Sequence, residues 1–171
     1  MYFSPFIIRN SDNEKICAVI SPMKKKDAVQ TTREPVWQSN WTNEELEEFE
    51  KYSLKTEDGE LVALGAYEIL KKKVCVHIVY IESQPESNPT MTQEKKYNGI
   101  GRLLIAFGIK LSIDNGCGGD VTFQAKTPEL AKHYVEDFGA FPVSTYGGVA
   151  PWYALSRESE KEIFMTYLEE E

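Results

Sequence analysis

A glycine-rich turn at Gly99 and Gly101 leads directly into an amphipathic helix. Two glycines one residue apart let the backbone curl so that consecutive N–H groups point at one spot. The helix adds its own unpaired N–H groups and the positive end of its dipole. The turn follows a strand predicted over residues 74–82 and precedes another predicted over 120–125. The sequence therefore predicts a β-loop-α-β unit whose helix begins at a site suited to a phosphate or pyrophosphate.

Two common phosphate-binding loops do not fit this turn. A dinucleotide fingerprint needs a third glycine or alanine where this chain has Leu104, and an acidic residue about 20 positions later, after a second strand. Asp120 lies at roughly that distance but precedes its predicted strand. A nucleotide-triphosphate loop needs Gly-Lys-Ser/Thr after four spacers, which the sequence lacks here. The turn is therefore either a different phosphate site or a helix start that only needs flexible residues.

The charge balance narrows the class of partner. The chain carries a net charge of −8, which disfavours nucleic acid and anionic membranes and is compatible with a cationic substrate such as an amine. Lys95, Lys96 and Arg102 nevertheless flank the glycine turn, and Lys110 follows on the same helix. This basic patch favours an anionic ligand at the turn, with a solvated charged loop as the alternative.

Size and cysteine content indicate one domain of a cytoplasmic protein. A chain of 171 residues that is 42% hydrophobic can bury a substantial core without disulfides or metal. Cys17, Cys75 and Cys117 are odd in number and lack Cys-x-x-Cys spacing, which favours free thiols in a reducing compartment. Cys75 and His77 share a strand face, but two candidate ligands do not make a zinc site, and we expect no metal.

Hydrophobic periodicity and turn residues predict strands interrupted by helices, as in an α/β or α+β fold. Thr42-Asn43-Glu44-Glu45 resembles a capping box, which predicts a helix over residues 42–52. Residues 61–70 and 74–82 are predicted as a hairpin whose second strand is apolar enough to be covered on both faces. Further predictions are a helix over 100–115, a helix over 127–137 capped by Thr127, a turn at Gly147-Gly148 and a closing helix over 158–168.

This order of elements resembles the GCN5-related N-acetyltransferase (GNAT) superfamily over residues 61–143. The family motif is Gln or Arg, two spacers, Gly, one spacer, then Gly or Ala. Gly99-Ile100-Gly101 matches the end of this motif, and Lys96 replaces the Gln or Arg, which keeps hydrogen-bond donors but loses the planar head group. The family's helix tyrosine lies four residues before a glycine, whereas Tyr134 lies five residues before Gly139.

The resemblance implies an α/β (α+β) fold with a mixed, mostly antiparallel central sheet flanked by helices. It also implies acetyl-coenzyme A as cosubstrate, bound in a cleft between two splayed central strands. The pyrophosphate would contact backbone N–H groups of residues 100–103, and the pantetheine arm would follow the end of the central strand. The implied cofactor-binding residues are Tyr80, Ile81, Lys96, Gly99, Ile100, Gly101, Arg102 and Leu103.

Acetyl transfer to an amine also needs proton transfers. A lysine-like amine has a pKa near 10.4, so about one part in a thousand is neutral at pH 7 and a base must take its proton. Glu82, at the end of the central strand, is the candidate base, with Glu86 or a water relay as alternatives. By the resemblance, Tyr134 donates a proton to the departing thiolate; the alternative is a packed aromatic with a satisfied hydroxyl. A backbone N–H near Ile81 or Glu82 would stabilise the oxyanion.

The predicted function is an acetyl-coenzyme A-dependent N-acetyltransferase that modifies the primary amine of a small molecule or a peptide. A non-catalytic acyl-coenzyme A sensor and an interaction protein with the same fold are the alternatives. We expect no nucleic-acid or membrane partner. The sequence leaves open the identity of the acceptor and whether the chain forms a homodimer.

Overall fold

The computed structural model describes residues 1–72, 74–125, 127–143 and 151–171. Within these residues the strands are β1 (Tyr2–Phe3), β2 (Phe6–Arg9), β3 (Glu14–Pro22), β4 (Glu50–Thr56), β5 (Leu61–Leu70), β6 (Cys75–Ser83), β7 (Tyr97–Asn98), β8 (Val121–Gln124), β9 (Phe141–Val143), β10 (Trp152–Ala154) and β11 (Leu168–Glu169). The α-helices are α1 (Lys25–Gln30), α2 (Ile100–Asp114), α3 (Pro128–Phe138) and α4 (Arg157–Met165). Short 3-10 turns lie at Glu44–Leu46 and Pro85–Ser87.

Hydrogen bonds join the described strands in the order β7-β2-β3-β4-β5-β6-β8-β10-β9. The register is antiparallel for β2 with β3 and β7, for β3 with β4, and for β10 with β8 and β9. β6 and β8 pair in parallel, with α2 between them in the sequence, as a β-loop-α-β crossover requires. The expected mixed, mostly antiparallel sheet with accompanying helices is therefore confirmed.

The chain divides into two compact units, to both of which β5, β6 and α2 contribute residues. The first unit comprises Met1–Ala66, Ile81–Leu104 and Tyr167–Glu171. The second unit comprises Tyr67–Tyr80 and Ile105–Thr166. Each unit has its own set of buried apolar side chains.

The first unit is built on side chains that are fully withdrawn from solvent. Antiparallel pairing of β1 with β11 brings the two ends of the chain together, and the Tyr167 ring packs against Phe6 with centroids 5.0 Å apart. The core residues with no exposed surface come from β2, β4, β5 and the start of α2. They are Ile7, Leu54, Val62, Ala63, Leu64, Ala66 and Leu103.

The second unit is packed closely between β5, β6 and α2. The Tyr67 and Phe107 rings meet edge to face with centroids 5.6 Å apart. A Cβ atom at Gly108 would lie 3.1 Å from Cδ1 of Ile78, so the absence of a side chain lets the helix approach the strands. The nearly all-apolar sequence of β6 is consistent with this burial, since Val76 is fully buried.

The prediction of a helix over residues 42–52 is wrong. The chain forms only the 3-10 turn Glu44–Leu46, in which Oδ1 of Asn43 accepts a hydrogen bond from the N–H of Glu45 at 3.1 Å. β4 follows at Glu50–Thr56 and pairs along its length with β3. The capping residues therefore stabilise only one helical turn, because the residues that follow form hydrogen bonds with the edge of β3 and join the sheet.

Other sequence predictions agree closely with the structure. β5 covers Leu61–Leu70 as predicted, and β6 covers Cys75–Ser83, one residue later than predicted. Thr127 caps α3, since its Oγ1 accepts from the N–H of Leu130 at 3.1 Å, and the helix ends at Gly139, whose φ is +66°. These elements are marked by residues whose local chemistry is unambiguous.

The closing helix is shorter than predicted. α4 ends at Met165, and Leu168–Glu169 forms β11 instead of a last helical turn. The turn predicted at Gly147-Gly148 lies outside the described residues. None of the helices in the described part of the chain combines the length and the apolar character needed to cross a membrane.

Candidate functional site

The glycine turn lies at the N-terminal end of α2, in the first unit. Gly99 has φ +84°, a left-handed conformation that glycine adopts without strain, and the helix begins at Ile100. The N–H of Leu103 donates to the carbonyl oxygen of Gly99 at 3.1 Å. No acceptor among the described residues receives the N–H groups of Ile100 and Gly101. Two backbone donors are therefore available at the positive end of a 15-residue helix.

The surroundings of the turn are open. Gly99 is exposed, and a Cβ atom at Gly101 would have no heavy atom within 4 Å. Arg102 is half-buried, and its positive charge acts on Tyr167. Burial raises the pKa of that tyrosine to about 12, and the Arg102 charge opposes the rise. A ligand can therefore approach the start of α2 without displacing a side chain at position 101.

Lys96 is held by a carboxylate in the same unit. Its Nζ lies 2.8 Å from Oε1 of Glu60, which also accepts a hydrogen bond from the hydroxyl of Tyr97 at 3.1 Å. The other oxygen, Oε2, accepts from Nε2 of Gln84 at 3.1 Å. The Lys96 side chain, predicted from the motif to face the cofactor, is thus already engaged by Glu60.

The ionisation of this pair follows from its contacts. Burial alone would raise the pKa of the Glu60 carboxyl, but the hydrogen bonds from Lys96, Gln84 and Tyr97 outweigh it and hold that pKa below its ordinary value. The hydrogen bond to Glu60 in turn raises the pKa of Lys96. Both groups are therefore charged at neutral pH.

A cavity of about 260 Å³ lies beside this ion pair, entirely within the first unit. Its walls come from the segment after α1, the start of β5 and the segment after β6. The lining includes both positively and negatively charged side chains. The lining residues that bear on its chemistry are Arg33, Glu34, Trp37, Glu60, Gln84, Glu86 and Lys96.

The Glu82 carboxylate is buried and engaged by at least three donors. The side chain is 4% exposed. Oε2 accepts from the N–H of Gln38 at 2.8 Å, and Oε1 accepts from the N–H of Ser39 at 3.2 Å and from Nε1 of Trp41 at 3.1 Å. Three donors fill most of the four or so lone-pair positions of a carboxylate. Glu82 therefore anchors residues 38–41 to the end of β6.

Tyr134 lies on α3 in the second unit and is 6% exposed. Its ring meets that of Phe123 edge to face with centroids 4.6 Å apart. Burial, and to a lesser extent the neighbouring Tyr80, raises the pKa of Tyr134 to about 12. Among the described residues, its hydroxyl has no hydrogen-bond partner. The phenol is thus fully protonated at neutral pH and able to donate.

The parallel pairing between β6 and β8 stops before β6 ends. The register runs from Val76 with Val121 to Ile78 with Phe123, whereas β6 continues to Ser83. Tyr80 and Ile81 lie in this continuation and are half-buried. Beyond it, the N–H of Gln84 donates to the carbonyl oxygen of Val62 at 2.7 Å, so the chain stays beside β5. β8 itself ends at Gln124, so β6 extends several residues further along the chain than its pairing with β8 and keeps its contact with β5.

Several solved structures resemble this arrangement of strands and helices. One is an acetyltransferase of the GNAT family from Listeria monocytogenes, with a TM-score of 0.55, 10% identity, and coverage of 88% of this chain and 98% of the other. This chain has the GNAT fold. AAC(6')-Ib in complex with paromomycin and acetyl-coenzyme A gives a TM-score of 0.57 at 11% identity, over 84% and 96% of the two chains. A bacterial toxin gives 0.55 at 11% identity, over 91% and 99%.

These identities support the GNAT fold and nothing finer. No family model matches the sequence, and no curated protein does. The predicted resemblance to GNAT proteins is thus confirmed at the level of the fold. The assignments of individual residues stay predictions.

The GNAT fold distributes the predicted residues between the two units. The glycine turn, Lys96, Ile81, Glu82 and Glu86 belong to the first unit, and Tyr80 and Tyr134 belong to the second. Cys75 and His77 both lie against Oγ1 of Thr122 in the second unit. The described residues contain no group of three or more His, Cys, Asp or Glu side chains arranged to hold a metal ion.

Sequence reasoning named Lys96 and Glu86, which line the cavity, but missed Arg33, Glu34, Glu60 and Gln84 and the contacts that join these segments. Glu60 contacts Lys96 across 36 positions, and Glu82 contacts Gln38 across 44, and a single sequence gives no signal for such pairs. One signal was present. Glu82 and Gln84 follow each other at the period of a strand, directly after an apolar run, and both are buried. Polar residues on one face at a strand end indicate a built polar site.

Proposed function

We propose that this chain is an acetyl-coenzyme A-dependent N-acetyltransferase that acts on the primary amine of a small molecule or peptide. The observation that carries the proposal is the pair of available N–H groups, those of Ile100 and Gly101, at the start of α2 in a GNAT fold. The neighbouring AAC(6')-Ib structure, a complex with acetyl-coenzyme A, supports the choice of donor.

The turn fits a diphosphate. The N–H groups of Ile100 and Gly101 would hold its oxygens, aided by the helix dipole and by the charge of Arg102. Leu103 is less suited than the sequence suggested, because its N–H already donates to Gly99. Lys96 would attract the diphosphate mainly through its positive charge and not through a direct hydrogen bond, since its ammonium is bound to Glu60.

The end of β6 fits the pantetheine arm of the donor. Tyr80 and Ile81 follow the residues of β6 that are paired with the short strand β8, and backbone groups of this stretch would pair with the amides of the arm. A backbone N–H there would also stabilise the oxyanion of the tetrahedral intermediate. When bound, acetyl-coenzyme A supplies the thioester whose acetyl group is transferred.

Glu86 is the better placed of the two candidate bases. Its side chain is exposed, lines the cavity and makes no hydrogen bond or ion pair among the described residues. Protonation of Glu82 would weaken the hydrogen bonds that its carboxylate accepts from Gln38, Ser39 and Trp41. We therefore assign proton acceptance from the amine to Glu86, directly or through water, and the positioning of residues 38–41 to Glu82.

Tyr134 is proposed to protonate the departing thiolate, and its removal gives a measurable prediction. We expect Tyr134→Phe to lower kcat about tenfold to hundredfold while KM for acetyl-coenzyme A changes less than twofold, because only the proton donor is lost. Free-thiol release measures both constants. Tyr153→Phe, in the same unit, is the matched control and should keep wild-type rates. Equal rates for both variants would remove Tyr134 from the mechanism.

The proposed function is tested by binding and turnover together. We expect acetyl-coenzyme A to bind in calorimetry, and at least one primary amine in a panel of amino acids, polyamines, aminoglycosides and lysine peptides to release free coenzyme A. Binding without turnover of any amine would favour an acyl-coenzyme A sensor. Absence of binding would leave an interaction protein with the GNAT fold.

A further inference from the structure

The size of the cavity limits what it can hold. Pockets for drug-sized ligands have volumes of about 300–1,000 Å³. The cavity of about 260 Å³ lies just below this range, so it suits a compact ligand. A molecule of several linked rings or a folded peptide loop would extend well outside it.

The Glu60 carboxylate, one of the lining groups, already has hydrogen-bond partners. Glu60 receives hydrogen bonds from Lys96, Tyr97 and Gln84, which use both of its oxygens. A ligand ammonium that approached this carboxylate would meet the Lys96 charge beside it. Glu60 is therefore not the binding partner of a cationic group.

Other polar side chains that line the cavity have no hydrogen-bond partner in the described part of the chain, and they include both positively and negatively charged groups. Among the described residues, no hydrogen bond or ion pair involves the side chains of Arg33, Glu34 and Glu86, which are all exposed. The indole N–H of Trp37 also has no partner there, although this side chain is only 5% exposed. Because no buried side-chain polar atom among the described residues lacks a partner, this N–H reaches solvent and is open to a ligand or to water.

We propose that the cavity binds a zwitterionic acceptor, an α-amino acid or a molecule of the same size with both an amine and a carboxylate. Arg33 and the Trp37 indole N–H receive the ligand carboxylate, because a guanidinium matches its planar geometry. Glu86, assisted by Glu34, receives the ammonium and orders it for deprotonation. Acetylation of the bound amine rests on the proposed function, whereas binding of the zwitterion does not.

Polyamines and lysine side chains fit less well. Each presents positive charge without an adjacent carboxylate, so Arg33 would face a like charge and the Trp37 donor would stay unmet. An α-amino acid supplies both signs in one compact molecule, and the cavity lining carries both signs as well. The pattern of unsatisfied groups thus selects among amines of similar size.

The test compares three forms of one molecule in the whole protein. The common L-amino acids are screened by calorimetry and by thiol release, and the best is then compared with its amide and its decarboxylated amine. We expect the amide and the amine to bind about tenfold to hundredfold more weakly, as loss of a charge-assisted hydrogen bond predicts. Equal binding of all three forms, or no binding of any amino acid, would overturn the inference.

Two variants locate the effect. Arg33→Gln should weaken amino-acid binding about tenfold or more, and leave binding of the decarboxylated amine and of acetyl-coenzyme A unchanged. Lys26→Gln makes the same charge change on exposed α1, outside the cavity, and should bind like the wild type. Equal amino-acid binding by both variants would contradict the assignment of Arg33.

The two proposals can fail separately. Arg33-dependent amino-acid binding without acetyl-coenzyme A binding would refute the proposed function and support the zwitterion site. Turnover of polyamines with no preference for amino acids would support the function and overturn the zwitterion site.

Discussion

Gly101→Asp is expected to weaken acetyl-coenzyme A binding at least a hundredfold. The new carboxylate would stand at the start of α2, where a Cβ atom meets no heavy atom within 4 Å, so the fold accommodates it. Two like charges about 4 Å apart repel by about 4 kcal/mol at an effective dielectric constant of 20. Calorimetric titration of acetyl-coenzyme A measures the dissociation constant.

Gly101→Asn is the matched control for this substitution. It has nearly the same size but no charge, so we expect a dissociation constant within about fivefold of the wild type. The thermal stability of Gly101→Asp should be equal to or slightly above that of the wild type, because a carboxylate is favourable at a helix N-terminus by about 0.3–1 kcal/mol. Normal binding by the Asp variant would show that the diphosphate lies elsewhere.

Glu82→Gln and Glu86→Gln are expected to have opposite signatures. Glu82 is 4% exposed and accepts hydrogen bonds from three N–H groups. In Glu82→Gln an NH₂ group replaces one of the accepting oxygens and meets an N–H donor. We expect this substitution to lower the free energy of unfolding by about 2 kcal/mol. For a chain of this length, that is about 4–8 °C in Tm. Glu86 is exposed and unbonded among the described residues, so its replacement should change stability by less than about 0.5 kcal/mol.

The rates should separate the two glutamates in the other direction. Glu86→Gln should lower kcat/KM about a hundredfold at pH 7, with partial recovery at high pH as more of the amine is neutral without help. Glu82→Gln, measured well below its Tm, should lack that recovery with pH. Thiol release across pH 6–10 and thermal denaturation of both variants check the pair. A stable Glu82→Gln variant with the pH-dependent loss would return the base to Glu82.

The elements that the sequence predicted best are those with local chemical markers. Thr127 caps α3 through its own hydroxyl, and Gly99 and Gly139 adopt positive φ where the sequence predicted the ends of helices. β5 and β6 follow from their apolar runs. In each case the deciding interaction lies within a few residues of the marker.

The elements and residues that escaped prediction depend on distant partners. Residues 50–56 form β4 because β3 is beside them, and the helical signal at Asn43 extends no further than one turn. The Glu60 contacts and the anchoring of residues 38–41 by Glu82 join segments more than 30 positions apart. Propensity and spacing do not contain these pairings, so the glycine turn could be predicted from the sequence while the contacts around the cavity could not.

The Glu60–Lys96 pair has a consequence for how enzyme kinetics on this chain should be interpreted. The lowered pKa of Glu60 means that its stabilising contact is lost only as pH falls below the ordinary glutamate range, and the raised pKa of Lys96 means that it is lost only as pH rises past the ordinary lysine range. This pair therefore keeps its charge state between about pH 5 and 10. A titration seen in that interval in acceptor saturation curves reports other groups, the substrate's own ammonium first among them.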